Sequence, residues 1–173
     1  MKKLSSLSKV AEKLEKKAQL IEEHLEQISD RINQIEKRIY DIRDKLSLKE
    51  VEVIETSRQI KELEHQLHEI RQKIKKHRKL IQQAETQREY EKLIKERDKL
   101  VAKSTDLAEK IDSLKKKLKD LLFEEDRLFE EEEQLEKERE KLQKEYSYLL
   151  SRLQSVLVRL NKKIESFREL HRV

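Results

Sequence analysis

His65 and His68 stand three residues apart, flanked by Glu64 and Glu69. That spacing sets two imidazoles on one helical face, the start of a metal site. Zinc takes four nitrogen, sulfur or oxygen donors, so two imidazoles are only part of a shell. Both histidines fall on outer helical positions, where solvated side chains are the ordinary outcome. Elsewhere the chain lacks the parts that catalysis needs. With Gly 0, Pro 0 and Cys 0 it has no phosphate-cradling glycine loop, no nucleophile elbow and no thiol. Its many carboxylates lie in helical sequence that offers no enclosed pocket to shift their titration. The residues argue against an enzyme and for a chain that holds no cofactor of its own.

A different set of polar residues is informative because each interrupts an apolar repeat. Leu4, Leu7, Ala11, Leu14, Ala18, Ile21, Leu25, Ile28, Ile32, Ile35, Ile39, Ile42 and Leu46 alternate spacings of three and four. The beat resumes at Ile60, Leu63, Leu67, Ile70, Ile74, Ile81 and Ala84. It then restarts out of phase at Tyr90, Leu93, Leu100, Leu107, Ile111, Leu114, Leu118 and Leu121, and runs on to Leu160 and Phe167. Such spacing is the a/d seam of a coiled coil. The phase slip between Ala84 and Tyr90 marks a fold-back. The expected fold is therefore all-α, a long antiparallel two-helix coiled-coil hairpin with the left-handed supercoil that a seven-residue period implies. Residues 1–173 form a single hairpin in this reading. Helix 1 spans about residues 4–84, the tip 84–89 and helix 2 about 87–172. Each helix of about 84 residues would measure about 125 Å.

The fold-back sets Ala84 against Tyr90, Ile81 against Leu93, Ile74 against Leu100 and Leu67 against Leu107. The same rule sets Lys49 against Glu125 and His77 against Arg97, so polar interruptions meet polar partners and serve as register markers. Other irregularities face apolar residues: Thr56 opposes Leu118, Ser104 opposes Ile70, Glu132 opposes Ile42 and Arg139 opposes Ile35. The long stems of Glu and Arg can reach the rim there. Thr86-Gln87-Arg88-Glu89 has capping-box spacing and predicts the start of helix 2. Ser47-Leu48-Lys49-Glu50 is a rival box beside Val51, Val53, Ile54 and Thr56, where helix 1 could kink. Continuity of the seam from Leu46 to Ile60 favours an unbroken helix.

Two surfaces are left over. Helix 1 is polar at its e positions, whereas helix 2 carries Ile94, Val101, Ala108, Leu122, Phe129, Leu150, Leu157 and Ile164 there. Phe123, Tyr148 and Val158 add bulk outside the seam. Either these residues lean over the hairpin groove, or they form a docking strip for a second copy or another protein. Leu122, Phe123, Phe129, Leu150, Leu157 and Val158 are the candidate partner-binding residues.

The second surface is charged. Twelve basic residues against five acidic ones lie between Arg71 and Lys103, with Lys75, Lys76, Arg78, Lys79, Arg88 and Lys92 as the basic tip. Glu124 to Glu140 is strongly acidic. A basic tip attracts nucleic acid or an acidic protein surface. Only Tyr90 could stack on a base, so nucleic acid is not expected as a partner. The overall charge of +5 is small against 42 basic and 37 acidic side chains. Met1-Lys2-Lys3 is followed by no apolar run, and no stretch matches a membrane span, so a cytoplasmic protein without membrane contact is expected.

Glu85-Thr86-Gln87-Arg88-Glu89-Tyr90-Glu91-Lys92-Leu93 resembles a stretch written roughly TNREYEAL in a bacterial coiled-coil/zinc-ribbon family. Matching positions are Thr86, Arg88, Glu89, Tyr90, Glu91 and Leu93. Lys163-Ile164-Glu165-Ser166-Phe167-Arg168-Glu169-Leu170-His171-Arg172 is similar to the family segment that precedes its four-cysteine ribbon. Members occur in flagellated bacteria, with chlamydial relatives tied to type III secretion. The resemblance implies an adaptor or chaperone whose partners are sigma-54 and a regulator of the flagellar or type III export ATPase. This chain departs from the pattern by having no cysteine. Any zinc would then sit in a ribbon beyond Val173, whose helix lacks a cap signal. Two further functions fit the residues: a structural stalk or escort of the export ATPase, and nucleic-acid binding through the tip.

Overall fold

Leu, Lys, Glu, Gln and Arg dominate the chain, and these are strong helix formers, while no Gly or Pro interrupts them. A computed structural model describes residues 2–172. The side chains of Lys3 and of Leu4, the first seam position, lie outside the described residues, as does Val173. Two helices account for almost everything: α1 (Lys2–Gln83) and α2 (Gln87–Arg172). They pack against each other as an antiparallel helical hairpin. α1 runs through Ser47–Thr56 without a break in its helical assignment.

The turn between the helices is short and chemically plain. Thr86 caps α2, its Oγ1 accepting from the Glu89 backbone N–H at 3.2 Å while its carbonyl accepts from Tyr90 N–H at 3.1 Å. That satisfies one of the orphan donors of a helix start. The Glu89 carboxylate does not complete the box. It contributes instead as an acid in the first turn, where the helix dipole favours negative charge. On the other side, Ala84 N–H donates to Ile81 C=O at 3.3 Å. No described residue adopts a positive φ, so the reversal needs no glycine.

The chain divides into two compact units, Met1–Arg43 with Glu130–Val173 and Asp44–Phe129. In the first unit, Ala18, Ile21, Leu25 and Ile28 cluster with Leu149, Leu153 and Val156, and Leu14, Ile32, Leu142 and Tyr146 pack at the margin. In the second, Leu67, Ile70 and Ile74 cluster with Leu107 and Ile111, bordered by Leu63, Leu100 and Ala108. The fold-back register accounts for both clusters, since it sets Leu25 opposite Leu149 and Leu67 opposite Leu107. Every buried apolar side chain among the described residues occupies an a or d position. Burying each such Ile or Leu stabilises the pair of helices by roughly 1.5–3 kcal/mol. Thr56 is the buried polar residue of the seam, at 2% exposure. Its β-branched methyl fills an a/d-type site, and no described buried side-chain polar atom lacks a partner.

Candidate docking surfaces

Heptad geometry dictates what flanks a seam: e and g residues of one helix meet e and g residues of the other. In the first unit this produces a ladder that the a/d pattern alone does not announce. His24, Arg31 and Arg38 recur every seven residues at g of α1, and Glu145, Glu138 and Glu131 recur every seven at g of α2. His24 Nε2 lies 3.4 Å from Glu145, Arg31 Nη2 lies 3.0 Å from Glu138, and Arg38 Nη2 lies 2.7 Å from Glu131. On the opposite flank Arg43 bridges Glu132 at 3.1 Å and Glu136 at 3.3 Å. The bond it donates to Glu132 holds the Arg43 guanidinium above its ordinary value. Beneath these pairs Ile35, Ile39 and Ile42 are the most completely buried side chains. Glu132 sits at an a position, its side chain only 17% exposed, with its carboxylate carried out to Arg43. The stem covers the seam while the charge stays solvated and paired. The signal in sequence was the seven-residue recurrence of Arg and Glu at g.

The two register markers find acids one residue earlier than the fold-back rule assigns. Lys49 pairs with Glu124 rather than with Glu125, and His77 Nε2 lies 3.1 Å from Glu96 rather than facing Arg97. Arg97 turns instead to its neighbour Asp98, at 3.1 Å. The shift is the same in both cases and has one cause. Glu125 and Arg97 occupy a positions inside the seam, while Glu124 and Glu96 occupy g positions at its rim. A charged d residue satisfies its head group by reaching outward to the rim. The hydrogen bond Lys49 donates to Glu124 holds its ammonium above the ordinary lysine value. His77 Nδ1 also lies 3.0 Å from the Lys73 carbonyl. Both of its ring nitrogens thus lie within hydrogen-bond distance of an oxygen.

The six candidate partner-binding residues are all exposed. Leu122, Phe123 and Phe129 lie in the Asp44–Phe129 unit, with Phe123 the most open at 65%. Leu150, Leu157 and Val158 lie in the other unit. The remaining e residues divide. Ile94, Ala108 and Ile164 are half-buried beside the groove, whereas Val101 is exposed. Helix α1 carries a second exposed apolar group that the seam pattern gave no reason to single out: Leu48, Val51 and Ile54 on its outer face.

Lys75, Lys76, Arg78, Lys79, Arg88 and Lys92 are exposed, and none takes part in the ion pairs of the described residues. The basic charge forms a collar beside the turn. Between Glu69 and Glu85 α1 has no acid at all, while Glu85, Glu89 and Glu91 surround the turn itself. His65 pairs with Glu69 at 3.2 Å in the open, and no described group of three His, Cys, Asp or Glu side chains is placed to hold a metal. No described helix is long and apolar enough to cross a membrane.

A family model described as syntaxin-like protein matches residues 59–172. The chain belongs to the syntaxin-like family. The match covers all of α2 with its outward apolar strip, together with the stretch of α1 that holds the basic collar. Membership supports a helical protein-interaction module. No curated protein and no solved structure matches the chain.

Proposed function

We propose that this chain is a non-enzymatic adaptor that presents the outer strip of α2 to a partner protein. One observation carries the reading. All buried apolar residues among the described ones lie on the a/d seam, yet Leu122, Phe123 and Phe129 remain exposed within two turns of α2. Side chains of that size gain most of their free energy from burial, and here the hairpin leaves that burial to another molecule. The hairpin itself acts without a cofactor and in the cytoplasm.

The specific form of the proposal names sigma-54 and a regulator of the flagellar or type III export ATPase as partners. It rests on the likeness of Thr86–Leu93 and Lys163–Arg172 to the coiled-coil/zinc-ribbon family, in which zinc sits in the ribbon. The test is binding of the purified chain to each candidate by calorimetry, repeated with Leu122→Ser/Phe123→Ser/Phe129→Ser. Loss of binding in the triple variant, with helicity intact, is the expected result. Absence of binding to both candidates by the unaltered chain removes the specific form. Binding to the export ATPase itself would favour the stalk or escort role.

A further inference from the structure

The outer face of α1 between Asp44 and Arg58 is built like one half of a symmetric contact. Leu48, Val51 and Ile54 are 67%, 61% and 54% exposed, and they fall within one stripe at c, f and b positions. Asp44 and Arg58 close the stripe one turn beyond the apolar residues on either side. Both are exposed and outside the ion pairs described for the hairpin. None of these residues touches the seam, whose buried members here are Leu46, Thr56 and Ile60.

Val51 is the midpoint of the stripe. When a second α1 lies antiparallel across it, b positions meet c positions and f meets f. Val51 then meets its own copy, Leu48 meets Ile54, Ser47 meets Glu55 and Asp44 meets Arg58. Each contact occurs twice about the axis except the central one, as an isologous twofold interface requires. Asp44 and Arg58 are opposite in charge close to the centre line, whereas Glu50 and Glu52 fall against each other only on the outer e and g flanks. An apolar centre alone would accept many partners, but an acid on one side and a base on the other select an antiparallel copy of the same helix.

We propose that α1 is a homodimerisation surface, with the twofold axis at Val51 and Leu48, Val51 and Ile54 as its apolar centre. It is separate from the α2 strip and does not rest on the adaptor reading. Three apolar side chains per copy bury a few hundred Å², less than the roughly 1,200 Å² of a stable standard interface, so the dimer is weak and reversible.

The natural chain has no cysteine, so a single introduced thiol reports proximity cleanly. In the full chain, Val51→Cys should cross-link to a covalent dimer under mild oxidation, while Leu20→Cys and Phe123→Cys, both exposed controls, should cross-link far more slowly. Sedimentation equilibrium should show monomer and dimer exchanging with concentration. Asp44→Arg should weaken the dimer about tenfold, and Asp44→Arg/Arg58→Asp should restore it, since the reversal rebuilds both pairs. All these positions are exposed, and circular dichroism checks that helicity is unchanged. The proposal is overturned if Val51→Cys cross-links no faster than the controls. It is overturned equally if the chain stays monomeric at about 1 mM, or if Phe123→Cys cross-links fastest, which would move self-association to α2.

Discussion

Two highly charged regions of this hairpin use their charge in opposite ways. In the Glu130–Glu140 stretch of α2, Glu131, Glu132, Glu136 and Glu138 are engaged by Arg38, Arg43 and Arg31 of α1, and the isoleucines beneath are the best covered large side chains among the described residues. Between Arg71 and Lys103 the charge is basic, and the described pairs are only His77 with Glu96 and Arg97 with Asp98. The difference teaches that charge density by itself says little. An acidic run facing arginines at heptad spacing is part of the structure that holds two helices in register. A basic run whose lysines and arginines mostly stand outside the described ion pairs adds little to that register.

The largest effect should come from the seam under the ladder. Ile42→Ala should cost roughly 2–5 kcal/mol of stability in denaturant unfolding, and Lys79→Ala on the collar less than about 0.5. Equal losses would break the distinction between structural and free charge. Next, Arg43→Ala should lower the melting temperature at low salt and lose that effect at high salt, because its pairs are solvated. Lys75→Ala/Lys76→Ala/Lys79→Ala should leave the melting temperature unchanged or raise it by relieving repulsion. It should also elute from an anionic matrix at distinctly lower salt. Replacing three Glu130–Glu140 carboxylates by Gln should change elution less than it changes stability.

The smallest effect concerns Lys49. Its pKa is raised in the folded state, so its contribution is complete below the ordinary lysine range of about 10.4 and is lost as pH rises through the folded value. Urea unfolding at pH 9 and pH 11.5 should show a loss at the higher pH that is smaller in Lys49→Met. Identical alkaline losses in the two chains would remove the Glu124 pair from the energetics.

Much of this was legible in the residues. The phase slip located the turn, and Thr86 announced the start of α2, because capping chemistry is local and needs only the next three residues. The pairing of Lys49 and His77 with rim acids was not legible, since a number rule places residues by level along the seam and not by how far a side chain extends. Val51 and Ile54 drew notice only as β-branched residues beside a possible kink, and it was their exposure, with that of Leu48, that showed an outer stripe.

The sequence by itself determined the periodicity, and with it the helices, the fold-back and the a/d positions from which the buried apolar residues among the described ones are drawn. The reason is that a two-helix seam repeats one simple rule at every heptad. Tertiary structure alone decided which charges are spent within the hairpin and which remain free. That outcome depends on side-chain reach across the gap between two helices, a distance that no pattern along one chain contains.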